Sequence, residues 1–202
     1  MTAGQAAADL AAAVRAARGG DEAAFRLLYR EVQPGLLRYL RGLVGDDAED
    51  LASETWLQIA RDIRSFRDEG AGFRGWAATI ARHRALDHLR RNQRRPVTGV
   101  SLDMVADLPD GQDTAEQVIR LAATNATVAF IATLPRDQAE AVLLRIVLGL
   151  DVKATAKVMG KRAGAVRTAV WRGLRTLAER LEQQRADAGV THAGAGTPRK
   201  TR

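Results

Sequence analysis

Helical periodicity stops at Pro96 and resumes after Asp113, and that interruption constrains the fold of this 202-residue chain more than any other feature. The segment between, PVTGVSLDMVADLPDGQD, scatters Pro, Gly and Asp with no repeat of apolar positions, so residues 96–113 read as a linker. A linker of that length separates two small domains. Both are predicted to be helical, because Ala, Leu, Arg and Val dominate while aromatics make up 4%. Straight-chain residues and Ala lose least on entering a helix. The fold class expected is all-α: two small helical domains joined by a flexible linker, the C-terminal one a helix-turn-helix.

In the first domain Asp21 stands where an N-cap carboxylate accepts backbone N–H bonds, and Ala24, Phe25, Leu28 and Tyr29 share a face, which predicts a helix over 21–32. Pro34 suits a first helical position, and Leu36, Leu37, Leu40, Leu43 and Val44 repeat up to Gly45, predicting a second helix over 34–44. A third helix, capped by Asp46 or Asp47, turns Leu51, Thr55, Trp56, Ile59 and Ile63 inward. Its outer face carries Glu49, Asp50, Ser53, Glu54 and Gln58. After a loop over 67–72, a fourth helix is predicted over 73–95. It carries Phe73, Trp76, Ile80, Ala81, Leu86 and Leu89, and Pro96 stops it by disfavouring a helical predecessor.

In the second domain Thr114 and Gln117 have capping-box spacing and introduce a helix through Val118, Leu121, Val128, Ile131 and Leu134. Another starts at Pro135 and carries Ala139, Val142, Leu143, Ile146 and Val147 to Gly149. A short helix over 152–159, a turn at Gly160 and a longer helix from Gly164 into Gln184 then form a helix-turn-helix pattern. Ala156, Val158, Met159, Val166, Val170 and Leu174 point inward in that reading. Residues 186–202 have too little apolar content to fold alone and are expected to be a mobile basic tail.

The net charge of +7 and a pI near 10.6 point to a polyanionic partner, since phosphate contacts by Lys and Arg release condensed counterions. Between Arg61 and Arg95, ten arginines stand against four acids. Close to Phe66, Phe73 and Trp76, they provide a basic track beside aromatic faces, the parts of a single-strand binding surface. Rings at helical spacing are more often core than base platforms, so Phe73 and Trp76 also have a structural reading. In the helix-turn-helix, Lys161, Arg162, Arg167, Thr168, Arg172 and Arg175 are left for DNA. The second helix of such motifs enters the major groove with its first turns at base edges.

Other chemistries find little support. The chain has no Cys, which excludes disulfides, thiolate zinc sites and a Cys nucleophile. His83 and His88 are five positions apart, which does not superpose them on one helix face, and no phosphate-cradling loop or nucleophile elbow is present. No cofactor or metal is expected. Asp50 and Glu54, four apart, read as a solvated face or a protein contact rather than an acid–base pair. The N-terminus lacks a signal-peptide pattern and no stretch reaches the roughly 18 apolar residues of a membrane span, so the protein is expected in the cytoplasm.

The segment DDAEDLASETWLQIARDIRSFRDEGAGFRGWAATIARHRALDHLRRNQRR resembles region two of extracytoplasmic-function (ECF) sigma factors. The segment LPRDQAEAVLLRIVLGLDVKATAKVMGKRAGAVRTAVWRGLRTLAERL resembles their region four. The likeness spans about 18–181, with two blocks in the right order at the right separation. It implies that residues 18–95 form region two and 114–185 region four. It also implies that Asp50, Glu54 and Gln58 dock on the clamp helices of the largest subunit of core RNA polymerase. Phe66, Phe73, Trp76, Arg82, His83, Asp87, Arg90 and Arg91 would read and melt the minus-ten element of promoter DNA. Lys161, Arg162, Ala165, Arg167, Thr168 and Arg172 would bind the minus-thirty-five element as duplex. The linker would thread the polymerase, and an anti-sigma factor is an expected partner.

The chain departs from the family pattern at four positions. His83 stands where Asn is common, Arg162 where a Ser cap is usual, and Ala169 and Trp171 where Arg and His are frequent. Two other classes remain open: a free-standing regulator using only the helix-turn-helix, and a nucleic-acid enzyme, which lacks a visible catalytic constellation.

Overall fold

The computed structural model describes residues 3–68, 72–93 and 115–193, and among these it contains helices and turns and no strand. The first unit comprises α1 (Ala3–Arg18), α2 (Glu22–Val44), α3 (Ala48–Asp62) and α4 (Gly72–Gln93). The second comprises α5 (Ala115–Ala132), α6 (Arg136–Val142), α7 (Val152–Met159) and α8 (Ala163–Ala193). The expected linker over 96–113 and the side chains of the Thr114–Gln117 capping box lie outside what is described.

Asp21 caps α2 as its position predicts, accepting from the amides of Ala23 and Ala24 at 2.8 and 3.1 Å. The two helices expected over 21–32 and 34–44 are one. Proline inside a helix removes a backbone bond and costs about 3 kcal/mol. Here Leu28, Val32, Leu36 and Leu40, each fully buried, follow a strict four-residue step straight across Pro34. One continuous apolar stripe outweighs one missing N–H. α1 was not foreseen: its last turns bury Ala13, Val14 and Ala17 against the rest of the unit, chiefly α2.

α3 is as read, with Leu51, Thr55, Trp56 and Ile59 buried; Ile63 is buried in the 3-10 turn that follows. Trp56 anchors it to α2 by donating its indole N–H to Gln33 Oε1 at 2.6 Å. The inner face of α4 differs from the expected one. Ala77, Ala78, Ala81 and Ala85 are fully buried while Ile80, Leu86 and Leu89 are half-buried, so small side chains let α4 settle closely on α2 and α3.

In the second unit Val128, Ile131 and Leu134 are buried as expected. α6 runs into a π-helical turn, Leu143–Val147, whose wider winding carries one extra residue per turn. It buries Leu143 and Leu144 and turns Ile146 outward, 61% exposed, although Ile146 belongs to the apolar repeat of that stretch. Asp151 caps α7 by accepting from the Ala154 amide at 2.7 Å. Gly160 closes the turn at a φ of +64°, where an L side chain is strained. On α8 the inner face is Val166, Val170, Gly173 and Leu177, with Gly173 seated against α6. That register leaves Leu174 44% exposed, against the inward placement expected for it. The helix continues through Ala193, so 186–193 are helical rather than part of a tail.

The two units share a core. α2 packs on α5, α6 and the π turn, and α4 packs on α7. Two glycines of α2 allow the approach: a Cβ on Gly42 would lie 2.5 Å from Leu143 Cδ1, and one on Gly35 would lie 3.2 Å from Leu148 Cδ2.

Candidate nucleic-acid interface

The outer face of α3 carries Asp50, Glu54 and Gln58 at four-residue steps; the two acids are exposed and Gln58 is half-buried. Arg84 of α4 borders this strip, 3.5 Å from Glu54 and donating to Gln58 Oε1 at 3.0 Å. Leu57, 59% exposed, lies on the same side one turn from Glu54, a large apolar group that the charge pattern alone did not single out. Its signal was present: Leu57 falls outside the inward set Leu51, Thr55, Trp56 and Ile59. Two exposed carboxylates and an exposed leucine thus share one face of α3, placing an apolar group beside charged ones.

The second group of expected residues divides. Phe66 and Phe73 are buried, in an aromatic cluster with Trp56 and Trp76 in which Phe66 and Trp76 have centroids 4.8 Å apart. Rings enclosed in this way hold Phe66 and the 3-10 turn before it onto α4 and do not present a face to a base. Trp76 is half-buried at the edge of that cluster. Further along α4, His83, Asp87, Arg90 and Arg91 are exposed on one side, with Asp87 and Arg90 paired at 3.1 Å.

Arg82 points elsewhere. One residue before His83, it is turned about 100° around the helix, toward the second unit. There its Nε donates to Glu140 Oε1 of α6 at 2.5 Å, and the Tyr39 hydroxyl of α2 donates to the same oxygen at 3.1 Å. The Glu140 side chain is 3% exposed. Burial, reinforced by the adjacent Glu140 carboxylate, pushes the Tyr39 phenol well above the ordinary tyrosine range and keeps it a proton donor. Sequence reading missed Tyr39 and Glu140, because nothing local marks a partnership between positions 101 apart.

In the helix-turn-helix, Arg162, Ala165, Arg167, Thr168 and Arg172 are all exposed along the first turns of α8. Thr168 bonds the Gly164 carbonyl at 3.1 Å, Lys161 is half-buried and ion-paired with Asp137, and Arg175 lies 5.6 Å over the ring of exposed Trp171. The arginines present an exposed basic ridge at the start of α8. His88 is 2.8 Å from Asp47, and among the described residues no three His, Asp or Glu side chains converge as a metal site. No helix of the described residues is long and apolar enough to cross a membrane.

These geometries coincide with known families. The Sigma-70 region 2 model matches residues 28–95 and the Sigma-70, region 4 model matches 125–177. The chain is 33% identical over 183 residues to the ECF RNA polymerase sigma factor ShbA of Streptomyces griseus, covering 86% of this chain and 96% of that one. The chain belongs to the ECF RNA polymerase sigma factors. It is also 36% identical over 171 residues to the ECF sigma factor BldN of Streptomyces coelicolor, where the match covers 83% of this chain and 64% of the relative. Among solved structures it shares its fold with a sigma factor RpoE in complex with the anti-sigma factor NepR from Bartonella quintana. That likeness has a TM-score of 0.59 at 22% identity, covering 78% of this chain and 96% of that one. In this sigma factor, α2 to α4 thus lie in region two, and α6, α7 and the first half of α8 in region four.

Proposed function

We propose that this ECF sigma factor is an alternative initiation factor that binds core RNA polymerase and directs it to promoters, without catalysing a reaction of its own. The observation that carries the reading is the separation of two exposed surfaces on successive blocks: the Asp50–Glu54–Leu57 strip of α3 and the basic ridge of α8. Residues 18–95 form the polymerase-binding and minus-ten unit, 96–113 the connecting segment, 114–185 the minus-thirty-five unit, and 186–202 an extension. Asp50, Glu54 and Gln58 dock on the clamp helices of the largest subunit. Trp76, His83, Asp87, Arg90 and Arg91 face the minus-ten strand, and Arg82 joins them when released from Glu140. Extruding a base costs a few kcal/mol, which stacking and pocket contacts offset. Lys161, Arg162, Ala165, Arg167, Thr168 and Arg172 face the minus-thirty-five duplex. The protein works in the cytoplasm, where polymerase is, and an anti-sigma factor restrains it, as the NepR complex of its structural neighbour supports.

The test is co-purification with core polymerase. The unaltered chain is retained, Glu54→Lys weakens retention at least tenfold, and Arg167→Ala leaves retention unchanged while reducing duplex affinity by about 1–3 kcal/mol if it reads a base. A chain that binds duplex tightly yet ignores core enzyme contradicts the reading and supports a free-standing regulator.

A further inference from the structure

A cleft of about 230 Å3 opens beside α2, lined also by Arg74 from the first turn of α4 and by Val147 and Leu148 at the end of the π turn. Val32, Val147 and Leu148 give it an apolar side. Arg30, Arg38 and Arg74 bring three guanidinium groups to it against one carboxylate, Glu31. Ordinary helix surfaces mix the two signs more evenly.

Arg38 is fixed by its own helix, its Nε donating to the Pro34 carbonyl at 2.8 Å. Arg74 is half-buried and makes no hydrogen bond or ion pair among the described residues. Its guanidinium extends from α4 to the end of the π turn, where Nη1 would lie 3.9 Å from a Cβ on Gly149. A guanidinium taken partly out of water with nothing to accept its protons costs free energy that a bound anion recovers. Arg30, exposed at the same cleft, also has no acid partner among the described residues.

The spacing of these groups selects the anion. Arg30 and Arg38 stand eight positions apart on α2, about 12 Å along its axis at about 1.5 Å per residue, and Arg74 comes from a different helix. Donors spread over that length suit two linked phosphates better than one tetrahedral anion, and guanidinium forks match phosphate oxygens in pairs. The volume is below the roughly 300–1,000 Å3 of pockets that enclose a drug-sized ligand, so the cleft takes a charged group rather than a whole nucleotide. Nor does it belong to the DNA-facing side of α4. At about 100° per residue, His83 and Arg90 lie about 180° and 160° around that helix from Arg74.

We propose that this cleft is a binding site for a diphosphate group, held by Arg30, Arg38 and Arg74. Glu31 opposes the ligand's charge and keeps its binding reversible. The diphosphate is either inorganic pyrophosphate or the end of a nucleoside diphosphate whose base stays outside the cleft. The site is additional to the initiation-factor reading and does not rest on it.

The test is calorimetric titration of the full chain with inorganic pyrophosphate at about 0.15 M salt, where exposed charges are largely screened. One site per chain is expected, with inorganic phosphate bound at least tenfold more weakly. Arg74→Gln should weaken pyrophosphate binding at least tenfold, and Arg74→Lys less, because it keeps the charge and loses the fork. Glu31→Gln should tighten binding, a gain that a merely structural role for these side chains does not produce. Lys153→Ala, exposed on α7 and outside the lining of the cleft, should change nothing. ADP bound more tightly than pyrophosphate identifies a nucleotide as the source of the group; ADP bound equally or more weakly identifies free pyrophosphate. Helicity by circular dichroism checks folding; should Arg74→Gln lose it, Glu31→Gln carries the test, since Glu31 is exposed. Absence of binding at about 1 mM pyrophosphate overturns the proposal, as does binding that both substitutions leave unaltered. A single-stranded oligonucleotide that displaces pyrophosphate and loses affinity with Arg74→Gln also overturns it, and assigns the cleft to nucleic acid.

Discussion

Arg82 and Glu140, 58 positions apart, meet at 2.5 Å across the boundary between region two and region four. One carboxylate oxygen thereby joins α4 to α6, and through Tyr39 also to α2. Three helices converge on a single buried charge, and its removal should be felt by both regions.

Glu140→Ala is expected to lower unfolding free energy by about 1–3 kcal/mol, because it strands the Tyr39 hydroxyl and the Arg82 guanidinium. Arg82→Ala alone strands the carboxylate. Urea denaturation of the double variant should show less loss than the two single losses combined, with a coupling of about 0.5–3 kcal/mol. Strict additivity would mean that the three groups do not act together.

Tyr39 gives the contact a pH dependence. Its folded-state pKa is raised above the unfolded value of about 10. The stabilisation is therefore fully present below about pH 10 and is lost as pH rises from there toward the folded value. Glu140 opposes ionisation, while Arg82 and Arg136 favour it and limit the shift. In a Tyr29→Phe background Tyr39 is the remaining tyrosine, and its ultraviolet titration should lie above that of the urea-unfolded chain. Coincident titrations would contradict its burial against Glu140.

Two glycines of α8 should respond in opposite senses. A Cβ on Gly173 would lie 3.0 Å from Val142 and 3.2 Å from Leu134, so Gly173→Leu should cost region four about 1–3 kcal/mol. Gly164 has nothing within 4 Å, and Gly164→Ala in the first turn of α8 should stabilise by about 0.4–1 kcal/mol. Thermal unfolding of the two variants reads both signs.

Helices with a large apolar stripe were legible from their spacing, and the residues expected inward on α3 are buried. α1 was not legible because its buried face is Ala13, Val14 and Ala17, too small to stand out from an alanine-rich background. Pro34 misled because a local rule about proline competes with a stripe visible only over four turns. The π turn that exposes Ile146 inserts its extra residue without any marker in the sequence. At the candidate site, periodicity placed the exposed acids of α3 and the exposed basic residues of α8, while the exposed set His83, Asp87, Arg90 and Arg91 of α4 came from the family resemblance. Whether Phe66 and Phe73 face a base or a core depends on what covers them, and local spacing carries no such information. The Arg82–Glu140 pair was beyond reach for the same reason: periodicity describes one helix at a time.

The central claim is that this chain confers promoter choice on RNA polymerase. It is tested most directly by transcription from a fragmented genomic library with core enzyme, with and without the protein, mapping the start sites gained. Discrete new starts sharing upstream elements near minus ten and minus thirty-five, lost with Glu54→Lys, are the predicted result. A start-site profile identical to that of core enzyme alone would contradict it.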